Sequence, residues 1–263
     1  MKLARFTLAD VPYITHLQPE GWLPISPYYQ FYSTTDFCYP IKCLDENKIV
    51  GLGTAILHED TGWLAHIIVD SALRNRGIGT LITRSLMDRL SPFVNTMSLL
   101  ATPLGEPVYH KLGFEKETVY SFFRDGKTNG TDNKIIQSFH PKYKDDLLRL
   151  DKMVSGENRT KLLELHLINA SIALEGNDLT GFFMPTLGEG LVVATTKIAG
   201  ELLLNLKHIS SNIATVPIEN KAAVEFLVAN GFVEFRKAIR MWYGKKLTWH
   251  ADKLYGRIGG NLG

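Results

Sequence analysis

Cysteine is scarce in this chain of 263 residues, which contains only Cys38 and Cys43. The four residues between them do not match the C-x-x-C spacing of redox and zinc sites, and no second pair of metal ligands follows. We therefore expect two buried or partly buried free thiols and no metal. A local disulfide and a metal site are the alternatives.

An excess of charge of one sign is also missing, because 29 basic residues balance 27 acidic ones to a net charge of +2. This balance gives no reason to expect nucleic acid or an anionic membrane as a partner. No stretch approaches the roughly 18 uninterrupted apolar residues of a membrane span. The opening residues MKLARFTLAD lack the apolar run of a signal peptide. We expect a cytoplasmic protein.

The composition that is present, 45% hydrophobic and 21% charged, is typical of a soluble globular protein of one large or two modest domains. The pattern along the first half predicts helix, three strands, helix, strand, short helix and strand. The opening helix has Asp10 as its predicted N-cap. Apolar residues at helical spacing over residues 81–90 indicate the central helix.

That order of elements recurs in the second half, which indicates an internal repeat. Gly113 and Gly126 are 13 residues apart, and so are Gly231 and Gly244 in matching surroundings. Self-similarity of this kind predicts two copies of one fold. Glycine, asparagine, threonine and aspartate cluster between residues 125 and 134, as in a linker. We therefore predict domains at residues 1–130 and 131–263.

The most informative stretch is RNRGIG, residues 74–79, which stands between a predicted strand and the central helix. A helix N-terminus has unpaired amides and a partial positive charge. Gly77 and Gly79 would let an anion approach the backbone, and Arg74 and Arg76 add charge. This predicts a phosphate-binding turn; the alternative is a basic, flexible turn. The second copy has nothing like it.

Arg74, Gly77 and Gly79 match the R/Q-x-x-G-x-G/A motif of the GNAT superfamily of N-acetyltransferases, and the sequence YHKLGF, residues 109–114, resembles another recurrent piece of that superfamily. The second half resembles the incomplete second domain of a bacterial tandem-GNAT group. The resemblance implies an α+β fold of two tandem GNAT-like domains, each with a mixed, mostly antiparallel sheet flanked by helices. The second domain would lack the pyrophosphate loop.

The resemblance implies that acetyl-CoA is the cofactor. The residues that would contact it are the backbone of Ile67, Ile68 and Val69, for the pantetheine arm, and Arg74, Asn75, Arg76, Gly77, Ile78, Gly79 and Thr80, for the pyrophosphate.

Two residues are candidates for catalysis. By resemblance, Tyr109 would protonate the departing thiolate; the alternative is a tyrosine that only packs at a helix end. His66 could serve as the general base, because a pKa near 6.5 suits proton transfer at neutral pH. Strict alternation would place it on one face of its strand with Leu64, Ile68 and Asp70. The alternatives are a structural histidine, a base at the preceding turn (residues 58–60), or a chain of water molecules.

The second half offers a polar cluster, Asp151, Glu157 and Arg159, that resembles one of the tandem group and could form a wall of the substrate site. Structural salt bridging is the alternative that we favour. The glycine-rich tail KLYGRIGGNLG could thread between other elements.

We therefore expect an N-acetyltransferase that modifies a small-molecule amine, with no nucleic acid or membrane as partner. The alternatives are a non-catalytic coenzyme A-binding regulator, an acyl or aminoacyl transferase, and an enzyme that acts on a protein or peptide amine.

Overall fold

A computed structural model describes residues 1–130 and 133–262. The chain forms two compact units: unit 1 comprises Met1–Glu115 and Met241–Lys245, and unit 2 comprises Lys116–Arg240 and Lys246–Gly263. Unit 1 therefore includes one short segment from late in the chain, Met241–Lys245. The predicted domain boundary falls at Thr131, which lies outside the described residues, and the division at residue 130 stays a prediction.

Unit 1 contains five strands and three α-helices. In chain order they are β1 (Lys2–Arg5), α1 (Ile25–Thr34), β2 (Cys38–Asp45), β3 (Lys48–His58), β4 (Thr61–Val69), α2 (Ile78–Leu90), β5 (Thr96–Ala101) and α3 (Glu106–Lys111). The strands lie in the order β1-β2-β3-β4-β5, antiparallel except for the parallel pair β4 and β5. The sheet is therefore mixed and mostly antiparallel.

Two glycines let α2 lie directly on β3. A Cβ at Gly51 or Gly53 would crowd Ile82, and at Gly53 it would also crowd Leu86. Ile82 and Leu86 are themselves fully buried. The apolar stripe that predicted this helix is thus the stripe that covers one face of the sheet.

The opening segment differs from the prediction. Residues Leu8–Tyr13 form a short 3-10 helix, and its N-cap is Thr7. The Asp10 carboxylate accepts a hydrogen bond from the Thr7 backbone N–H (2.8 Å), so the predicted cap residue holds the third position of a capping box. The first α-helix is instead α1, which we did not predict.

The remaining elements are, in chain order, β6 (Glu115–Arg124), β7 (Ile136–Ser138), α4 (Lys144–Ser155), α5 (Thr160–Glu164), β8 (Ser171–Glu175), β9 (Asp178–Met184), β10 (Leu191–Ala194), α6 (Lys197–Lys207), β11 (Ile213–Pro217), α7 (Lys221–Ala229), β12 (Val233–Gly244) and β13 (Leu254–Gly256). They belong to unit 2, except for Glu115 of β6 and Met241–Gly244 of β12. From β7 to α7 they repeat the order of unit 1, with α5 as an additional short helix. Five of these strands form a sheet of the order β13-β10-β9-β8-β7. Strands β12, β6 and β11 lie side by side in that order.

Cys38 and Cys43 are free and buried, as expected. None of the helices in the described parts of the chain is long and apolar enough to cross a membrane.

Candidate functional site

The turn before α2 leaves the first amides of that helix open. Its N-cap is Gly77, in the left-handed region with φ of +79°, and no side chain of the described residues caps it. A Cβ on Gly77 would meet nothing within 4 Å, and one on Gly79 would meet only Val69 at 3.8 Å. Arg74 and Arg76 are exposed on the same turn. Open amides, free space and two cations together suit a phosphate group.

Among the described residues, β5 covers only the first part of the strand that leads into this turn, and no other strand pairs with the open part of that edge. β4 pairs with β5 only from Thr61 to Leu64, although β4 continues to Val69. The Asp70 N–H donates to the Val50 carbonyl on the β3 side (2.9 Å). Because backbone groups alternate along a strand, Ile67 and Val69 direct theirs away from β3, whereas Ile68 directs its own toward β3. The open edge can therefore bind an extended arm by backbone hydrogen bonds.

A β-bulge in β4 corrects the predicted alternation. Ala65 is opposite Thr54 and Ile68 is opposite Leu52, so His66 and Ile67 share one partner position. His66 has a φ of +45°, as the extra residue of a bulge can. The insertion moves His66 to the face opposite Leu64, so the prediction that these two residues share a face was wrong.

On that face His66 lies among four aromatic side chains from α1 and the segment before it. The Tyr29 hydroxyl donates to the His66 carbonyl (3.1 Å), and the Tyr32 hydroxyl lies 2.9 Å from His66 Nδ1. The rings of Tyr28 and Trp22 have centroids 4.9 and 5.9 Å from the imidazole centroid. Sequence reasoning missed this cluster, although the run PYYQFY contains its signal.

The protonation state of His66 follows from its surroundings. Burial lowers the pKa of His66 to about 4, so the imidazole is neutral at pH 7. Since Nδ1 is next to the Tyr32 hydroxyl, Nε2 is the nitrogen left for a substrate. A neutral imidazole of such low pKa can share a hydrogen bond with an amine, but it holds an extra proton poorly.

Tyr109 lies on α3, which packs against α2. Its side chain is buried, and burial raises its pKa above the ordinary value, so the phenol is protonated at neutral pH. The ring packs near Gly105 and Phe114. The position is compatible with the predicted proton donor and equally with a packing residue.

The other base candidates occupy the hairpin turn between β3 and β4. His58 pairs with Thr61 there, and Glu59 and Asp60 are exposed. Asp60 precedes His66 by six residues, roughly 20 Å of extended strand. His58 is buried. This turn is therefore remote from the bulge.

In unit 2, the element that corresponds to α2 has a closed N-terminus. Helix α6 follows β10 after Thr195, without a glycine turn. The Thr196 hydroxyl accepts from the Ala199 N–H (3.2 Å) and donates to the Glu175 carboxylate (2.8 Å). The helix is thus capped by its own residue, with an acidic group beside it, and an incoming phosphate would meet repulsion.

The tail of the chain closes the matching strand edge in unit 2. Strand β13 pairs antiparallel with β10, at Val192 and Gly256 and at Val193 and Leu254. The Asn220 side-chain amide donates to the Leu254 carbonyl (3.1 Å). The tail therefore occupies the edge of β10, and the expectation that it threads between elements agrees with this placement.

The predicted polar cluster lies in the interior of unit 2. Arg159 makes a bidentate ion pair with Asp151, at 3.1 and 2.5 Å, and both side chains are almost fully buried. Glu157 is buried as well. This arrangement agrees with a structural salt bridge, the alternative that we favoured.

Comparison with known proteins identifies both halves. A family model described as acetyltransferase (GNAT) domain matches residues 37–128, and a second model of the same description matches residues 147–256. Together they cover more than three quarters of the chain. No curated protein matches the chain in sequence.

Three solved structures share the two-domain fold. A putative acetyltransferase from Pyrococcus horikoshii is 20% identical with a TM-score of 0.85, over 100% of this chain and 95% of that one. A GCN5-related N-acetyltransferase from Sphaerobacter thermophilus is 11% identical with a TM-score of 0.63, over 95% and 98%. A tandem GNAT protein from the clavulanic acid biosynthesis pathway is 12% identical with a TM-score of 0.64, over 92% and 98%. With both halves matched by GNAT models, the chain belongs to the GNAT family and is a tandem-domain N-acetyltransferase.

Proposed function

We propose that the protein transfers the acetyl group of acetyl-CoA to a primary amine of a small molecule, in unit 1. The observation that carries this proposal is the uncapped left-handed turn at Gly77, directly after the free edge of β4. Unit 2 has neither feature, since Thr196 caps α6 and β13 pairs with β10. The transfer site is therefore single.

The residues of unit 1 fit the cofactor in two places. The amides at the start of α2, with Arg74 and Arg76, would hold the pyrophosphate. The side chain of Arg74 also donates to the Val69 carbonyl (3.3 Å), which fixes the turn against the end of β4. The backbone of Ile67 and the N–H of Val69 at the open edge would hold the pantetheine arm. Acetyl-CoA supplies the acetyl group through its thioester.

The reaction also needs a neutral amine. Transfer forms a carbon–nitrogen bond and breaks the thioester carbon–sulfur bond, while the amine releases one proton and the sulfur takes one up. For an amine of pKa near 10.4, deprotonation at pH 7 costs about 4.6 kcal/mol. His66, neutral at pH 7, would orient the amine through Nε2, and water would carry its proton away. Tyr109, protonated at pH 7, would donate to the sulfur.

The first test is calorimetric titration with acetyl-CoA. We expect one site per chain in the wild type and loss of binding in Gly79→Glu, because that carboxylate would stand where the pyrophosphate binds. The matched control is Lys197→Glu, which puts a carboxylate in the first turn of α6 and should leave binding unchanged. If the wild type fails to bind acetyl-CoA, the proposal is wrong.

The second test measures thiol release with a panel of small amines. Turnover with a small amine supports the transferase. Binding without turnover across the panel would point to a coenzyme A-binding regulator, and turnover confined to peptides would point to a protein substrate. With a competent amine, Tyr109→Phe should lower kcat about 100-fold.

A further inference from the structure

A cavity of about 490 Å³ lies in unit 1 among residues 15–26, the segment that precedes α1. Its lining includes Glu20 and Trp22. The two residues differ in chemistry, because one offers a carboxylate and the other an aromatic face. The cavity is not part of the cofactor-binding turn described above.

The loop that forms this cavity is held in a defined shape by Gln18. The Gln18 amide nitrogen donates to the carbonyls of Pro19, Trp22 and Leu23, at 3.1 to 3.2 Å, and its oxygen accepts from the Ile25 N–H at 2.9 Å. The three carbonyls share the two N–H groups of this amide, so one side chain contacts four backbone groups of the turn. The arrangement positions Glu20 and Trp22 before any ligand binds.

Trp22 connects the cavity to the reaction site. Its ring lies 5.9 Å from the imidazole of His66, and Tyr28 lies on the same imidazole at 4.9 Å. A molecule with one amine at His66 would therefore extend over these aromatic faces toward Glu20. Aromatic faces and carboxylates both attract cations, and a cation binds within about 6 Å of a ring centroid.

We propose that the acceptor is a linear diamine or polyamine. One amino group is neutral and reacts at His66. A second, as an ammonium no more than about 12 Å away, binds between the Glu20 carboxylate and the Trp22 indole. This inference rests on the proposed function and names the substrate class of the same site.

The test compares a linear diamine with the monoamine of the same chain length. We expect the diamine to have the higher kcat/KM by about tenfold, the effect of one partly solvated ion pair together with one cation–π contact. Glu20→Gln should lower this ratio about fivefold, and Trp22→Leu should lower it similarly. The matched control is Glu46→Gln, an exposed carboxylate at the β2–β3 turn, which should leave the ratio unchanged.

A binding measurement separates this inference from the proposed function. Titration of the coenzyme A-saturated protein with the diamine should change the tryptophan fluorescence of the wild type but much less that of Trp22→Phe. If monoamines are acetylated as well as diamines, or the preference survives in Glu20→Gln, the inference is wrong and the proposed function stands. If acetyl-CoA does not bind at all, the proposed function is wrong, and equal fluorescence changes with diamine and monoamine would overturn the diamine site as well.

Discussion

The backbone of His66 determines which face of the sheet carries the candidate acceptor site. A φ of +45° is unfavourable for a residue with a Cβ, by about 1–2 kcal/mol. Two tyrosine hydroxyls hold the residue in this conformation, that of Tyr29 at its carbonyl and that of Tyr32 at its ring. The bulge thus places the imidazole beside the open part of β4.

The partly buried imidazole of His66 predicts a pH dependence of stability. Burial lowers the pKa of His66 to about 4, against about 6.5 in an unfolded chain. Between these values the unfolded state binds more protons, so stability is lost as the pH falls from 6.5 toward 4. The loss attributable to His66 should reach about 3 kcal/mol at most. In urea unfolding, His66→Gln should therefore show a shallower fall between pH 7 and pH 4.5 than the wild type.

In the comparison of the wild type with His66→Gln, the contributions of the other titrating groups cancel. The pKa of His208 is also lowered to about 4, mainly by burial, and contributes equally to wild type and variant. The carboxylates that titrate below pH 5 cancel in the same way. Identical slopes in the two proteins would show that His66 is not buried in its neutral form.

At the scale of elements, the sequence predicted the helices and strands in which apolar residues recur at a regular spacing. The apolar spacing of α2 follows from burial of one face of the helix, and such burial leaves a periodic trace in the sequence. Strand β3 is buried on both faces, so its residues do not alternate. Helix α1 was missed because its run of tyrosines shows neither the apolar spacing of an amphipathic helix nor the alternation of a strand. Nothing in LAHIIVD marks the extra residue of the bulge, since alternation assumes one residue per position.

The candidate site shows the same limit. The cofactor turn could be proposed from sequence because glycines and arginines adjacent in the chain create it. The aromatic surroundings of His66 could not, because Tyr32 and His66 meet only when α1 packs on the sheet. Backbone groups at the open edge of β4 leave no side-chain signature at all.

Two helix glycines predict opposite effects of the same substitution. In α6, a Cβ on Gly200 would overlap the ring of Tyr255, so Gly200→Ala should destabilise unit 2 by about 1–3 kcal/mol. In α2, a Cβ on Gly79 would make only an ordinary contact, and alanine is the better helix former. Gly79→Ala should therefore raise the midpoint of unfolding in urea or leave it unchanged. Destabilisation by both would mean that crowding at Tyr255 is not the cause.

At the scale of the whole molecule, the two copies of the fold have diverged in one respect that matters for function. Unit 1 keeps an open strand edge and an uncapped helix, whereas unit 2 has filled both positions with its own residues. Under the proposed function, β13 and the Thr196–Glu175 pair would each block a second cofactor site in unit 2. If unit 1 alone binds the cofactor, as we propose, the duplicated fold serves unit 2 as a scaffold.

Removal of the tail tests this account. Deletion of residues 254–263 takes away four buried apolar side chains, Leu254, Tyr255, Ile258 and Leu262, so unit 2 should lose more than about 5 kcal/mol of stability. The milder Tyr255→Ala should cost about 3–5 kcal/mol. Both variants should still bind one acetyl-CoA per chain by calorimetry, because the cofactor site belongs to unit 1. Two sites in either variant would show that α6 can bind the cofactor and that the tail alone prevents it.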